Sequence, residues 1–127
     1  MSNRRRNAWG NTYRTEYLHS RTWYRRRDAW FQETRTRGIP LVCAACRRPA
    51  VADRLELHHV DYHGVIRTDH GWVSRERHDD LIPVHPYCHE LLHRLIERDR
   101  VLSRMRRRPD ATRIALTRLQ HKLAAAS

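Results

Sequence analysis

A chain of 127 residues suits one domain, and a core of that modest size needs a metal or a disulfide to help hold it. Twenty-six Lys+Arg against fourteen Asp+Glu give a net charge of +12, and every cation but Lys122 is arginine, so the expected partner is a polyanion whose phosphates the guanidinium forks can grip. Nucleic acid is favoured over a membrane surface or a merely soluble charged coat, and no apolar run reaches the roughly eighteen residues of a spanning helix.

The first seven residues, Met1 to Asn7, lack the apolar centre of a signal peptide, so a cytoplasmic protein is expected. Residues 1–11 carry Arg4, Arg5, Arg6 and Gly10 without apolar periodicity and read as a flexible basic arm. Over residues 12–36, Tyr13, Tyr17, Trp23, Tyr24, Arg27 and Trp30 recur at helical steps with no Gly or Pro between them. This predicts one amphipathic helix with its aromatics in the core and Arg21, Arg25, Arg26 and Arg35 on the wet face. Gly38 and Pro40 end it.

Residues 41–48 form a short extended-turn-extended piece carrying Cys43 and Cys46. Residues 55–60 alternate apolar and polar side chains and predict a strand, followed by a loop to about Asp79. Leu81 to Val84 predicts a second strand, at an edge or bulge because of Pro83. Pro86 opens a predicted helix with Leu91, Leu92, Leu95, Ile96, Leu102 and Met105 on one face, running to about Arg107. Pro109 stops it, and Ile114, Leu116, Leu119 and Leu123 predict a last helix before a loose Ala-rich tail. The domain proper is thus expected over 12–108, with 109–127 as an appended helix and tail.

Three cysteines, an odd number, fit metal binding better than a disulfide framework. Cys43-x-x-Cys46 and His85-x-x-Cys88 have the spacing that lets paired side chains meet one tetrahedral ion, a Cys3His structural zinc site. The 38 residues between the pairs, 47–84, exceed the span of an ordinary zinc ribbon, so other structure must be folded between them. His85 is the weakest of the four ligands, because cysteine is the more usual partner for Cys88.

His89 and His93 stand four apart at the start of a helix, so both rings project from one face and can share a second metal. The tandem His58-His59 lies on a strand, where neighbours point to opposite faces. One can complete a three-histidine site while the other is left free to handle a proton.

The segments 57–62 (LHHVDY) and 79–93 (DDLIPVHPYCHELLH) together resemble the signature of the HNH, or ββα-metal, endonucleases, in the variant with zinc knuckles and a tandem His. The likeness covers residues 41–95, and residues 17–30 are similar to a helix that precedes this motif in short phage and bacterial members. It implies an α+β fold: a ββα-metal core of two short antiparallel strands and a helix, a structural zinc, and flanking N- and C-terminal helices. It also implies that His58, His89 and His93 hold a catalytic divalent metal, that His59 is the general base, and that Asp80 takes the place of the middle Asn, pinning the loop that fixes the base. The ion is open among Mg2+, Mn2+, Ni2+, Co2+ and Zn2+, since imidazoles suit the softer metals while magnesium prefers oxygen. The implied function is hydrolysis of double-stranded DNA to 5′-phosphate and 3′-hydroxyl ends by a monomer or weak dimer.

Arg54, Arg67, Arg75, Arg77 and Arg94 are the candidate phosphate clamps, contributing affinity without sequence readout. Two other readings compete: a noncatalytic zinc module that grips nucleic acid through its arginines, and a protein with two structural zincs. Only the nuclease needs His59, and His59→Ala is expected to leave folding and DNA binding intact while cleavage falls by about a hundredfold or more.

Overall fold

Ser20 divides the predicted N-terminal helix. Its backbone is extended, its Oγ accepts from the Trp23 N–H at 3.1 Å, and it donates to the Tyr17 carbonyl at 2.7 Å. A side chain so engaged caps a new helix, so the chain runs through a helical turn at 12–15 and a 3-10 turn, Tyr17–His19, before α1, Arg21–Thr36. The computed structural model describes residues 12–126, and the basic arm expected over 1–11 lies outside the described residues. Among them the fold is mixed α+β. It has β1 (Glu56–His59), β2 (Val65–Thr68), β3 (Gly71–Ser74) and β4 (Leu81–Val84), then the helices α2 (Pro86–Arg98) and α3 (Arg108–Ala126).

β1 and β4 pair antiparallel, with His58 opposite Ile82 and His59 opposite Leu81. The expected loop up to Asp79 instead contains a second hairpin, in which β2 pairs with β3, Val65 opposite Ser74 and Thr68 opposite Gly71. Gly71, at φ +112°, makes that turn possible, and Thr68 Oγ1 donates to its carbonyl at 2.9 Å. A 3-10 turn, His78–Asp80, then leads into β4.

α2 ends nine residues before the expected Arg107. Asp99 leaves helical geometry, and its Oδ1 accepts from the N–H groups of Val101 and Leu102 at 2.8 and 3.0 Å, which starts a new turn. Pro109 begins α3 rather than stopping a helix, because the first turn needs no intrahelical N–H. The Ala-rich residues 124–126, expected as a loose tail, are its last turn.

One core joins Trp23, Trp30 and Phe31 of α1 to Cys43, Leu55, Leu57, Leu81 and Val84, and a second joins Leu92 and Ile96 of α2 to Leu102, Ala111, Ala115 and Leu119. Leu92 and Leu102 are fully buried, each contributing roughly 2 kcal/mol by removal from water. The helix set apart as an appendage from residue 109 is therefore half of this second core. β1 lies between the two cores, which is why His58 and His59 are both buried although they face opposite ways. No described helix is long and apolar enough to cross a membrane.

Candidate metal centre and its cleft

Cys43 and Cys46 sit on a tight turn whose N–H and C=O groups close on themselves: Cys43 N to Arg48 O at 3.0 Å and Arg47 N to Cys43 O at 2.9 Å. Arg47 holds the left-handed φ of +64° that the turn demands. The Ala44 N–H donates to the Pro83 carbonyl at 2.8 Å, tying this turn to the end of β4. The next residues of the chain are His85, the N-cap of α2, and Cys88 in its first turn.

The ligand atoms of Cys43, Cys46, His85 and Cys88 all lie within 4.8 Å of one another and could hold a metal ion. His85 Nδ1 is 3.3 Å from Cys46 Sγ, and the His85 N–H points at Cys43 Sγ at 3.4 Å. Burial opposes ionisation of Cys43, but backbone N–H groups of Cys46, His85 and Ala45 outweigh it and hold the thiol down to about 7. Burial and the charge of Cys43 push Cys88 up to about 12. One sulfur is ready to ionise while the next is opposed, a conflict that a divalent cation at the centre would relieve.

The second cluster is built by β1 and α2. His58, His89 and His93 bring their ligand nitrogens within 4.8 Å of one another, with the Nε2 atoms of His89 and His93 3.0 Å apart. Glu56 Oε1 lies 3.0 Å from His89 Nδ1 and turns the other ring nitrogen toward the cluster. His58 Nε2 lies 3.2 Å from Thr112 Oγ1 of α3, while its Nδ1 is buried with no partner among the described residues. A ring nitrogen shut away from water beside two others is the donor a cation would satisfy. Burial keeps all three rings neutral: His58 lies well below the ordinary histidine range, His89 below it despite Glu56, and His93 at about 4.

His59, expected to be free, is held at both nitrogens. Nε2 is 2.7 Å from Glu76 Oε2 and Nδ1 is 2.7 Å from the Tyr13 hydroxyl. Its ring stacks on Tyr62 and tilts against Trp23. Burial raises the acidity threshold of Glu76, but hydrogen bonds from His59 and Tyr17 outweigh it and keep the carboxyl below its usual range. An ionised Glu76 accepts a hydrogen bond from the His59 Nε2–H, so Nδ1 accepts from the Tyr13 hydroxyl. With His59 2% exposed in this network, His59→Ala would open a cavity and take one of two donors from Glu76 Oε2, a cost in stability that sets itself against the expectation of intact folding.

Asp80 is buried, accepts from the Arg77 N–H at 2.9 Å, and through its carbonyl takes the N–H of Val60 at 2.8 Å, fixing the backbone next to His59. A cleft of about 520 Å3 opens over His59, His89 and His93. Of the five candidate clamps only Arg94 lines it, while Arg54 borders a neighbouring cleft that reaches His89. Arg67 lies on the β2–β3 hairpin beside Glu16 and Trp72, Arg77 pairs with Asp80, and neither they nor Arg75 reach the histidine cleft.

Sequence reasoning missed Glu56, Tyr13, Glu76, Arg108 and Thr112. Glu56 was within reach, since it stands two residues before His58 and therefore on the same face of the strand. The others come together over 17 to 54 residues of chain, as in Glu76 with His59 and Thr112 with His58, and no local spacing announces them.

The chain matches no protein-family model, no curated protein and no solved structure, so the reading of this centre rests on its own geometry.

Proposed function

We propose that the protein is a metal-dependent endonuclease of the HNH type, hydrolysing DNA phosphodiester bonds in the cleft over His59, His89 and His93. The observation that carries this reading is the convergence of three neutral imidazoles from β1 and α2 beside a fourth, His59, that lines the same cleft. The β1–β4 pair followed by α2 fits a ββα-metal core, and Cys43, Cys46, His85 and Cys88 suit a structural zinc by donor type. A divalent ion on His58, His89 and His93 would supply Lewis-acid stabilisation of charge on the phosphate and leaving oxygen.

The chain's own residues supply the proton handling. Water attacks phosphorus, the bond to the 3′ oxygen breaks, the leaving oxygen takes a proton from solvent to become the 3′-hydroxyl, and the proton of the attacking water passes to His59 Nδ1 where the Tyr13 hydroxyl gives way to it. Glu76 holds the opposite Nε2–H, fixing the tautomer and stabilising the imidazolium that forms. The fixed charge of +12 favours a polyanionic substrate.

Supercoiled plasmid incubated with Mg2+, Mn2+, Ni2+, Co2+ or Zn2+ should be nicked or linearised, with loss on chelation and a fall of about a hundredfold or more in His93→Ala. Failure of the wild-type protein to cut with any of these ions would leave the second reading, a noncatalytic zinc module binding nucleic acid. That reading is favoured by one observation: both ring nitrogens of His59 are already engaged.

A further inference from the structure

Three guanidinium groups line the histidine cleft, and they are not equivalent. Arg14 pairs with Glu97 at 3.7 Å, and Arg94 is bonded to Glu90 one turn earlier on α2. Arg108, the first residue of α3, has no acidic partner among the described residues, because nearby Asp110 is taken by Arg107 and Arg113. Its Cζ lies 4.7 Å above the ring of Tyr62, which fixes the guanidinium plane against the cleft wall. Its Nε is buried with no hydrogen-bond partner among the described residues.

A charged N–H donor shut away from water without an acceptor is unfavourable, and it persists where the surrounding fold holds it for another purpose. Here the fold does hold it. Thr112, one helical turn further along α3, lies 3.2 Å from His58, so the face of α3 that carries Arg108 is docked against the three-histidine cluster. An acceptor that fits a fork of N–H donors at the wall of an open cleft is an anion with several oxygens, which describes a phosphate better than a carbonyl.

We propose that Arg108 is the phosphate-binding residue of the cleft, its terminal N–H groups donating to nonbridging oxygens of the phosphodiester presented to His58, His89 and His93. This rests on the nuclease reading for its substrate, though not for the anion site itself. Arg14 and Arg94, already paired, steer DNA at the rim. Arg108 alone would touch the group that changes charge during cleavage.

The test uses the full chain as purified, inorganic phosphate as probe, and the variants Arg108→Gln, Arg108→Lys and Arg94→Gln. Phosphate should shift the Nε–H resonance of Arg108 where chloride at equal ionic strength does not. Affinity should fall by about tenfold or more in Arg108→Gln, less in Arg108→Lys, and by under about twofold in Arg94→Gln. In single-turnover cleavage, Arg108→Gln should lose about a hundredfold in rate with DNA affinity within about threefold, the mark of a group acting on developing charge. Phosphate binding that is unchanged in Arg108→Gln overturns the proposal, as does unchanged cleavage by that variant. Phosphate binding that depends on Arg108 in a protein that cuts no DNA would uphold the anion site and remove the nuclease reading instead.

Discussion

Glu76 Oε2 and His59 Nε2 are 2.7 Å apart, and neither side chain has any exposure to solvent. Glu76 has the Tyr17 hydroxyl at 2.5 Å as a second donor on the same oxygen, while its Oε1 is buried with no partner among the described residues, so the two bonds to Oε2 carry the ionised group. The pair therefore links the β2–β3 hairpin region to β1 and orients the ring that the proposed chemistry needs.

Glu76→Gln should destabilise the fold by about 1–3 kcal/mol at pH 7, since it weakens two charge-assisted hydrogen bonds in a dry site. The sign with pH follows from Glu76 being held below its ordinary 4.5: the unfolded chain binds the proton first. Its stabilising contribution is complete above about pH 4.5 and is lost as pH falls toward the lower folded value. Denaturant titrations of wild type and Glu76→Gln at a series of pH values should show the gap between them closing below 4.5. A gap that widened in acid would contradict the ionised pair.

Thr112→Val keeps the shape of a buried side chain and removes the hydroxyl beside His58 Nε2. About 1 kcal/mol of stability should go, and Ni2+ affinity at the three-histidine cluster should fall by about tenfold, because the ring loses the contact that orients it. Calorimetric titration with Ni2+ checks this, and unchanged affinity would detach α3 from the site.

Cys43→Ser removes one of the four side chains that could hold a metal ion, and with zinc as the proposed occupant it should lose the metal and unfold much of the first core. Cys43 is fully buried there, and its turn is tied to β4. A loss above about 4 kcal/mol is expected, as for removal of a structural metal. Zinc content by mass spectrometry together with the thermal midpoint decides it. A zinc-free variant that melted like wild type would show that the cysteines stabilise by packing alone.

The two clusters that could hold a metal were legible because each is written in local spacing: two x-x pairs, a pair at i and i+4, and a tandem on a strand. The physics of turns and helices converts those spacings directly into proximity. Ser20 and Asp99 were harder, since each could have sat on a helix face, and it took their side-chain bonds to Trp23 and to Val101 and Leu102 to break the helix there. The β2–β3 hairpin was hidden by its weak pattern, since its apolar residues come side by side, Val65 with Ile66 and Trp72 with Val73. Val65 is its only buried strand residue, so the alternation that marks a strand is nearly absent. Glu76, Tyr13 and Thr112 reach their histidines through tertiary packing, and that information lies in no window of sequence.

Gly64 is where the hairpin and the site meet, and it yields the sharpest prediction. Its carbonyl accepts from the Arg75 N–H at 2.7 Å, and a Cβ placed on it would lie 2.3 Å from the backbone nitrogen of Glu76 and 2.4 Å from the carbonyl carbon of Arg75. Those are backbone atoms that no rotamer change can move, so Gly64→Ala must push the segment after β3 that carries Glu76 away from β1. A cost of about 2–4 kcal/mol is expected, and the destabilisation by Glu76→Gln should be largely absorbed into that of Gly64→Ala, the double variant losing less than the sum of the two. Gly71→Ala is the control. There no atom lies within 4 Å of the added Cβ, and only the φ of +112° is strained. It should cost about 1–2 kcal/mol in stability and leave the His59 ring resonances in NMR spectra where they are in wild type. If both alanines moved those resonances equally, the close approach at Gly64 would have no special hold on His59.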